Sequence, residues 1–211
     1  MNYWKIDKED VCNGEGLRVV LWLSGCSHKC RGCQNPQTWD ANSGIPFDEA
    51  AKKVLFRELD KDYISGLTLT GGDPLFEENL DDVLNLVTEV NKRYNTTRDT
   101  VYVRDEDNNI LTRLSHEIRL SCPQKNIWLY TGYEWEHIFD PRWHYHPQTQ
   151  EKLSIGRWRR QQIVSQCDVL VDGRYIDSQR DITLPWRGST NQKVIDIRKY
   201  LQKGEVVLWT N

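Results

Sequence analysis

The sequence predicts an α/β fold, a mainly parallel sheet with flanking helices, open or partly closed as a barrel. Short apolar runs rich in β-branched residues alternate with longer segments whose apolar residues recur at helical spacing, the pattern of strands joined by crossover helices. The two most distinctive segments, a cysteine loop and a Gly-Gly-Asp-Pro turn, each follow a predicted strand, and in parallel sheets reactive groups gather at the carboxyl ends of strands. At 211 residues the chain reads as a single domain, 1–211, large enough to bury a real core.

The elements follow in order. Leu17 to Ser24 (LRVVLWLS) is a buried strand, and the cysteine loop starts directly after it. Pro46, Asp48 and Glu49 open a helix whose buried face is marked by Phe47, Ala50, Ala51, Val54, Leu55 and Leu59, with acids in the first turn to suit the macrodipole. Gly66 to Thr70 is the second strand and ends in Gly71-Gly72-Asp73-Pro74. A second helix runs from Leu80 to Tyr94 with Leu80, Val83, Leu84, Val87 and Val90 on one face. Ile127 to Thr131 and Val169 to Val171 add two strands, and Val194 to Ile197 and Val206 to Trp209 add C-terminal ones.

Composition narrows the function classes. A net charge of −3 gives no global pull toward nucleic acid or anionic membrane. No apolar run approaches a membrane span, and the chain opens Met1-Asn2-Tyr3-Trp4-Lys5 without an apolar signal segment, so a soluble, cytoplasmic protein is expected. The nine tryptophans are spread from Trp4 to Trp209 without a repeat and read as packing or interface residues.

Cys26, Cys30 and Cys33 stand in a C-x3-C-x2-C spacing with no fourth cysteine nearby. Soft thiolates select iron–sulfur chemistry or zinc, and three of them leave one position of a four-iron cluster free for a small molecule. A closed zinc site would need His28 as its fourth ligand, cramped between Cys26 and Cys30. A disulfide framework fits less well, because Cys12, Cys122 and Cys167 are scattered singly and read as ordinary buried thiols. Gly71-Gly72-Asp73-Pro74 alone is an ordinary turn. One strand after the cysteine loop, its glycines offer close backbone approach to a ligand on the same rim.

These residues resemble the radical S-adenosylmethionine superfamily. Within it, Asn13-Gly14-Glu15-Gly16, Ser24-Gly25-Cys26-x-His28-x-Cys30-x-Gly32-Cys33-x-Asn35, Thr38-Trp39, Gly71-Gly72-Asp73-Pro74-Leu75, Trp128-x-Tyr130-Thr131-Gly132-Tyr133, Val171-Asp172-Gly173 and Trp186-Arg187-Gly188-Ser189-x-Asn191-Gln192 are similar to the activating enzymes of anaerobic ribonucleotide reductase. The similarity runs in order from the N-terminus to about residue 197. Most of the superfamily has an aromatic residue before the third cysteine, whereas this chain has Gly32, in agreement with the narrower family. Residues 95–121 and 140–155 look like insertions, and the tail from Arg198 to Asn211 like an extension.

The resemblance implies a partial (βα) barrel of the radical S-adenosylmethionine type. It implies a [4Fe–4S] cluster on Cys26, Cys30 and Cys33, with the amine and carboxylate of S-adenosylmethionine on the fourth iron. Reductive cleavage then yields a 5′-deoxyadenosyl radical that takes hydrogen from a glycine on the large subunit of the reductase. Gly71, Gly72 and Asp73 would receive the methionyl amine through backbone and carboxylate, and Gly32 and Gln34 would line the ligand beside the cluster. Asp172 and the Thr131-Gly132 turn are weaker candidates for the ribose or carboxylate, since each also suits a plain strand end. The cofactor carries the hard chemistry, so no side chain need do proton chemistry.

Four features keep two readings each. His28 is a donor beside the cluster or an exposed loop histidine. Lys29 and Arg31 dock an acidic electron donor such as flavodoxin or are merely solvated. His144-Tyr145-His146 lacks a carboxylate or cysteine at ligand spacing, which argues against a second metal. Arg157-Trp158-Arg159-Arg160 with Trp143 suggests a nucleic-acid patch, but the overall acidity favours a solvated or partner-facing helix. The alternatives to the activase are a different radical S-adenosylmethionine activity, on another glycyl radical enzyme or a small molecule, and a zinc-binding interaction module.

Overall fold

A computed structural model describes residues 1–104, 110–120, 124–139 and 150–210, the side chains of 97–119 and 150–155 excepted. The chain runs β1 (Asn2–Asp10), β2 (Arg18–Leu23), β3 (Ile45–Pro46), α1 (Glu49–Leu59), β4 (Gly66–Gly71), α2 (Leu80–Val90), β5 (Thr96–Arg104), β6 (Ile110–Arg119), β7 (Asn126–Tyr130), α3 (Trp135–Phe139), α4 (Gln150–Val164), β8 (Val169–Asp172), β9 (Lys193–Asp196) and α5 (Ile197–Lys203). Seven strands form one sheet in the order β3-β1-β2-β4-β7-β8-β9.

The inner strands β2, β4, β7 and β8 are parallel, as expected. The outer strands are not: β1 pairs antiparallel with β2 and with β3, and β9 pairs antiparallel with β8. Parallel pairing needs a crossover, and neither the loop between β1 and β2 nor the segment between β8 and β9 contains an α-helix. β1 escaped the sequence reading because its charged residues, among them Lys5, Lys8 and Glu9, face solvent at a sheet margin. Val206 to Trp209 is not a strand but joins β9 through one bridge, Leu208 to Ile195, and through the Trp209 amide on the Val194 carbonyl, 2.8 Å.

Period-two alternation gives the sheet two unlike faces. Val19, Leu21, Leu23, Leu67, Leu69, Ile127, Leu129 and Leu170 pack with Leu55, Leu59, Val83, Val87 and Val90 of the helices in the main core. The alternate positions build a smaller cluster of Trp128, Val169, Val171 and Val194, against which Tyr130, Trp186 and Trp209 pack. At the amino ends of the strands this face is closed by Arg18, fully buried, whose guanidinium donates to Thr68 Oγ1, Asn126 Oδ1 and the carbonyls of Glu15, Leu67 and Asn126. Burial pulls its pKa down to about 10. Arg18 thus fills this face at the amino ends of the strands.

The helices start as predicted, and the second ends earlier than expected. Asp48 caps α1 by accepting from the Ala51 amide at 2.9 Å. The buried face of α1 is Ala51, Leu55, Phe56 and Leu59, whereas Ala50 is exposed. α2 stops at Val90 and passes into a π-helical turn, Asn91–Asn95, so the helix expected to reach Tyr94 is shorter. Buried Asn95 exchanges hydrogen bonds with the backbone of Lys125, at 2.8 and 3.0 Å, and pins the neck from which β5 and β6 leave as a separate antiparallel hairpin. The described residues of the segment 95–121, which the sequence reads as an insertion, form this antiparallel pair. His144-Tyr145-His146 and Cys122 lie outside the described residues. No helix among the described residues is long and apolar enough to cross a membrane.

Candidate metal centre and cofactor cavity

The cysteine loop begins where β2 ends. Gly25, at φ 97°, turns the chain out of the sheet, and the amides of Gly25 and Cys26 bond the carbonyls of Thr38 and Trp39 at 2.8 and 3.0 Å. The Cys33 amide donates to the Cys30 carbonyl at 3.1 Å, and the Asn35 amide to Cys33 Sγ at 3.3 Å. Cys26, Cys30 and Cys33 are free, half-buried thiols that line one cavity. Burial, with the charge of Asp73 second, pushes the Cys26 thiol up to about 11, and burial also raises Cys30.

The glycine turn is held against this loop by backbone bonds. The Gly72 amide donates to the Leu23 carbonyl and the Asp73 amide to the Gly25 carbonyl, each at 2.7 Å. A Cβ on Gly72 would stand 2.5 Å from the Gly25 carbonyl oxygen, and one on Gly71, at φ 101°, would stand 2.8 Å from Leu23 backbone atoms. The glycines are demanded first by the protein's own backbone, a reason that the ligand-approach reading of the turn did not contain.

Asp73 is buried, 1% exposed, and its carboxylate is occupied. Oδ1 accepts from the Leu75 amide and from Thr131 Oγ1, both at 2.8 Å, and Oδ2 accepts from the Gly132 amide at 3.0 Å. His28 Nε2 lies 2.8 Å from Oδ2, at ion-pair distance but without the alignment of a hydrogen bond. The histidine is therefore not the exposed loop residue that the sequence allowed: its ring is buried edge-on against Tyr133, 4.7 Å between centroids.

The cavity, 440 Å³, brings together most of the predicted site. Cys26, Cys30, Cys33 and Gln34 form one wall, and Gly71, Gly72, Asp73, Thr131 and Gly132 form the rim beside it. Gly32 is not in the lining; at φ 74° it turns the loop, and a Cβ there would meet Asp177 at 2.8 Å and Tyr175 at 3.3 Å. Asp172 is also outside it, accepting from the amides of Trp135 and Lys193 at 2.8 and 2.9 Å, so the plain strand-end reading describes its contacts. Burial raises its pKa.

Two further expectations change. Cys12 is not buried but exposed, and it lines the same cavity, whereas Cys167 is buried as expected and donates to the Ile163 carbonyl. The arginines of the 157–160 segment are largely structural. Arg157 holds the carbonyls of Ile138 and Phe139, Arg159 pairs with Asp81, and buried Arg160 reaches the Leu75 carbonyl, Glu77 and Tyr133, leaving Trp158 exposed. The residues that sequence reasoning missed are Trp22, Thr70 and the Tyr130 side chain, which line the cavity from the face opposite the main core. Strand alternation was the signal that could have found them.

The residues fit a ligand-bearing centre. His28 Nδ1, Tyr130 Oη and Arg187 Nε are buried without a partner, and all three side chains line the cavity. Buried polar atoms are satisfied as a rule, so their grouping at one cavity marks it as built to receive polar atoms. Among the described residues no three His, Cys, Asp or Glu side chains converge on a single ion, and thiolates of a cubane would each take a separate iron.

The comparisons agree with this donor set. Residues 12–104 and 103–195 match the family described as a 4Fe-4S single cluster domain. The chain is 34% identical over 200 residues to the anaerobic ribonucleoside-triphosphate reductase-activating protein of Escherichia coli (strain K12), covering 94% of this chain and 100% of that protein. It is 36% identical over 194 residues to the protein of the same name from Enterobacteria phage T4, covering 92% and 93%. With the one from Pasteurella multocida (strain Pm70) it shares 35% over 202 residues, 95% and 100% of the two chains. A 4Fe-4S single cluster domain is therefore present, and the chain belongs to the family of anaerobic ribonucleoside-triphosphate reductase-activating proteins.

Proposed function

We propose that this chain activates an anaerobic ribonucleotide reductase by installing a glycyl radical on its large subunit, using S-adenosylmethionine at a [4Fe–4S] cluster. The observation that carries the reading is the meeting of three free thiols and the Gly71-Gly72-Asp73 turn at one cavity in a chain of the activating-protein family. When bound, the cluster and S-adenosylmethionine supply a one-electron cleavage whose outcome is the removal of a hydrogen atom from a partner glycine.

The chain's own part is to hold, orient and shield. Cys26, Cys30 and Cys33, which line the cavity, would hold the cluster and leave it open to S-adenosylmethionine, and Gln34 would line the ligand beside them. On this reading the methionyl amine is received by the backbone of the Gly71-Gly72 turn. Asp73 acts through that turn, because its oxygens already accept from Leu75, Thr131 and Gly132. Gly32, outside the cavity lining, shapes the loop at φ 74°. The exposed Lys29 and Arg31 beside the thiols suit an acidic one-electron donor such as flavodoxin. A partial barrel of the radical S-adenosylmethionine type and a reducing, cytoplasmic setting belong to the same reading.

The test is direct. Anaerobically reconstituted, reduced protein mixed with S-adenosylmethionine and the reductase large subunit should produce a glycyl radical, seen as a doublet by electron paramagnetic resonance. No radical on the reductase, with cleavage of S-adenosylmethionine on a small molecule by the same preparation, would replace the activase by another radical activity.

A further inference from the structure

The donors left without partners are not explained by holding a cluster. Leu129 packs into the main core, so its neighbour Tyr130 projects from the other face of the sheet, where it packs with the Trp128 cluster. Its Oη is buried and unpartnered. Burial raises its pKa, so the hydroxyl keeps its proton and can donate. Arg187 reaches the same cavity from the segment between β8 and β9.

The guanidinium of Arg187 is fixed in place. Its Nη1 donates to the Gln192 carbonyl at 2.7 Å, and the Gln192 side chain in turn ties the Gly173 carbonyl at 2.9 Å and the Gly188 amide at 3.0 Å. Its Nε stays buried without an acceptor. Trp186, immediately before it, holds φ 57°, a left-handed conformation that bulky residues rarely adopt. It is kept there edge-on against Trp128, 5.1 Å between centroids. Strain of this kind persists where the surroundings over-determine it, and it clusters at ligand sites.

We propose that Tyr130 Oη–H and Arg187 Nε–H bind main-chain carbonyl oxygens of the glycine-bearing segment that the partner inserts into this cavity. The inference rests on the activase reading and names how that site would recognise its protein substrate. A glycine offers no side chain, so recognition must fall on the backbone. Each carbonyl that leaves water to enter the cavity needs a donor, and an unmade hydrogen bond there is costly. Tyr130 and Arg187 supply two such donors in a cavity that Trp22 and Trp186 also line. The same donors would also suit the methionyl carboxylate of S-adenosylmethionine, so the experiment must separate the two sources.

The readout is a coupling ratio: glycyl radical formed on the reductase, by electron paramagnetic resonance, per 5′-deoxyadenosine released. Tyr130→Phe removes only the hydroxyl, and Arg187→Lys keeps the charge but loses the Nε–H. Each should lower the ratio about tenfold, the size of one hydrogen bond, in protein whose iron content matches wild type. An unchanged ratio overturns the proposal. If affinity for S-adenosylmethionine falls while the ratio holds, the donors serve the methionyl carboxylate and the proposal is equally overturned. Should Arg187→Lys fail to load iron, Arg187→Gln takes its place, with Tyr130→Phe as the independent arm. Wild-type protein that forms no glycyl radical fails the activase reading itself, before either variant is compared.

Discussion

Nε2 of His28 lies 2.8 Å from Oδ2 of Asp73, which joins the middle of the cysteine loop to the glycine turn across the carboxyl end of the sheet. The same carboxylate accepts from Thr131 and Gly132 after β7 and from Leu75 after its own turn. One buried acid thus gathers the ends of three neighbouring strands. A carboxylate leaves water only when its lone pairs are filled, and here they are filled by the groups that shape the cavity rim.

Asp73→Asn exchanges one acceptor oxygen for an amide donor and should loosen the rim. Because hydrogen bonds to a charged group are lost, a destabilisation of about 1–3 kcal/mol is expected in urea unfolding of the metal-free protein. Unchanged stability with weakened S-adenosylmethionine binding would instead make Asp73 a direct ligand contact.

The clustered and isolated cysteines should separate by iron content. Cys26→Ala, Cys30→Ala and Cys33→Ala should each abolish the broad visible absorption of reconstituted protein, because each removes one of the three thiols clustered in the C-x3-C-x2-C loop that lines the cavity. Cys12→Ala and Cys167→Ala should keep it, although Cys12 also lines the cavity. Four irons per chain in Cys30→Ala protein would overturn the assignment of the three ligands.

Gly72→Val should damage the cysteine loop as well as the turn. Its Cβ would be driven 2.5 Å from the Gly25 carbonyl oxygen, a backbone atom that cannot rotate away. Overpacking of this kind costs about 1–3 kcal/mol, so both the unfolding midpoint and the iron content should fall. A variant that loads iron normally and loses only S-adenosylmethionine binding would return the glycine to a purely ligand-facing role.

The hairpin of β5 and β6 should be dispensable for the fold. Its two ends meet at Asn95, whose carbonyl accepts from the Leu120 amide at 2.7 Å, and it forms a sheet of its own. Replacing residues 97–119 with a short glycine-rich turn should leave cluster loading unchanged and lower the glycyl radical yield on the reductase. Full radical yield would exclude the hairpin from contact with the partner.

What the sequence determined by itself is what depends on short-range spacing. Three thiols in C-x3-C-x2-C, the turn after Gly66–Thr70 and the helical period of α1 and α2 are local patterns, legible because neighbours along the chain share one element. The tertiary structure alone decided everything carried by contacts between distant residues. It set the antiparallel margins of the sheet, the exposure of Cys12, the turn role of Gly32 and the internal occupation of Asp73. It also turned Arg160 of α4 inward onto the Leu75 carbonyl. Composition suggests a basic face there, but a charge's partner is fixed by packing, and packing joins residues that no spacing rule relates. Tyr130 and Arg187 meet one cavity for the same reason: a strand end and a loop far along the chain are brought together only when the sheet is assembled.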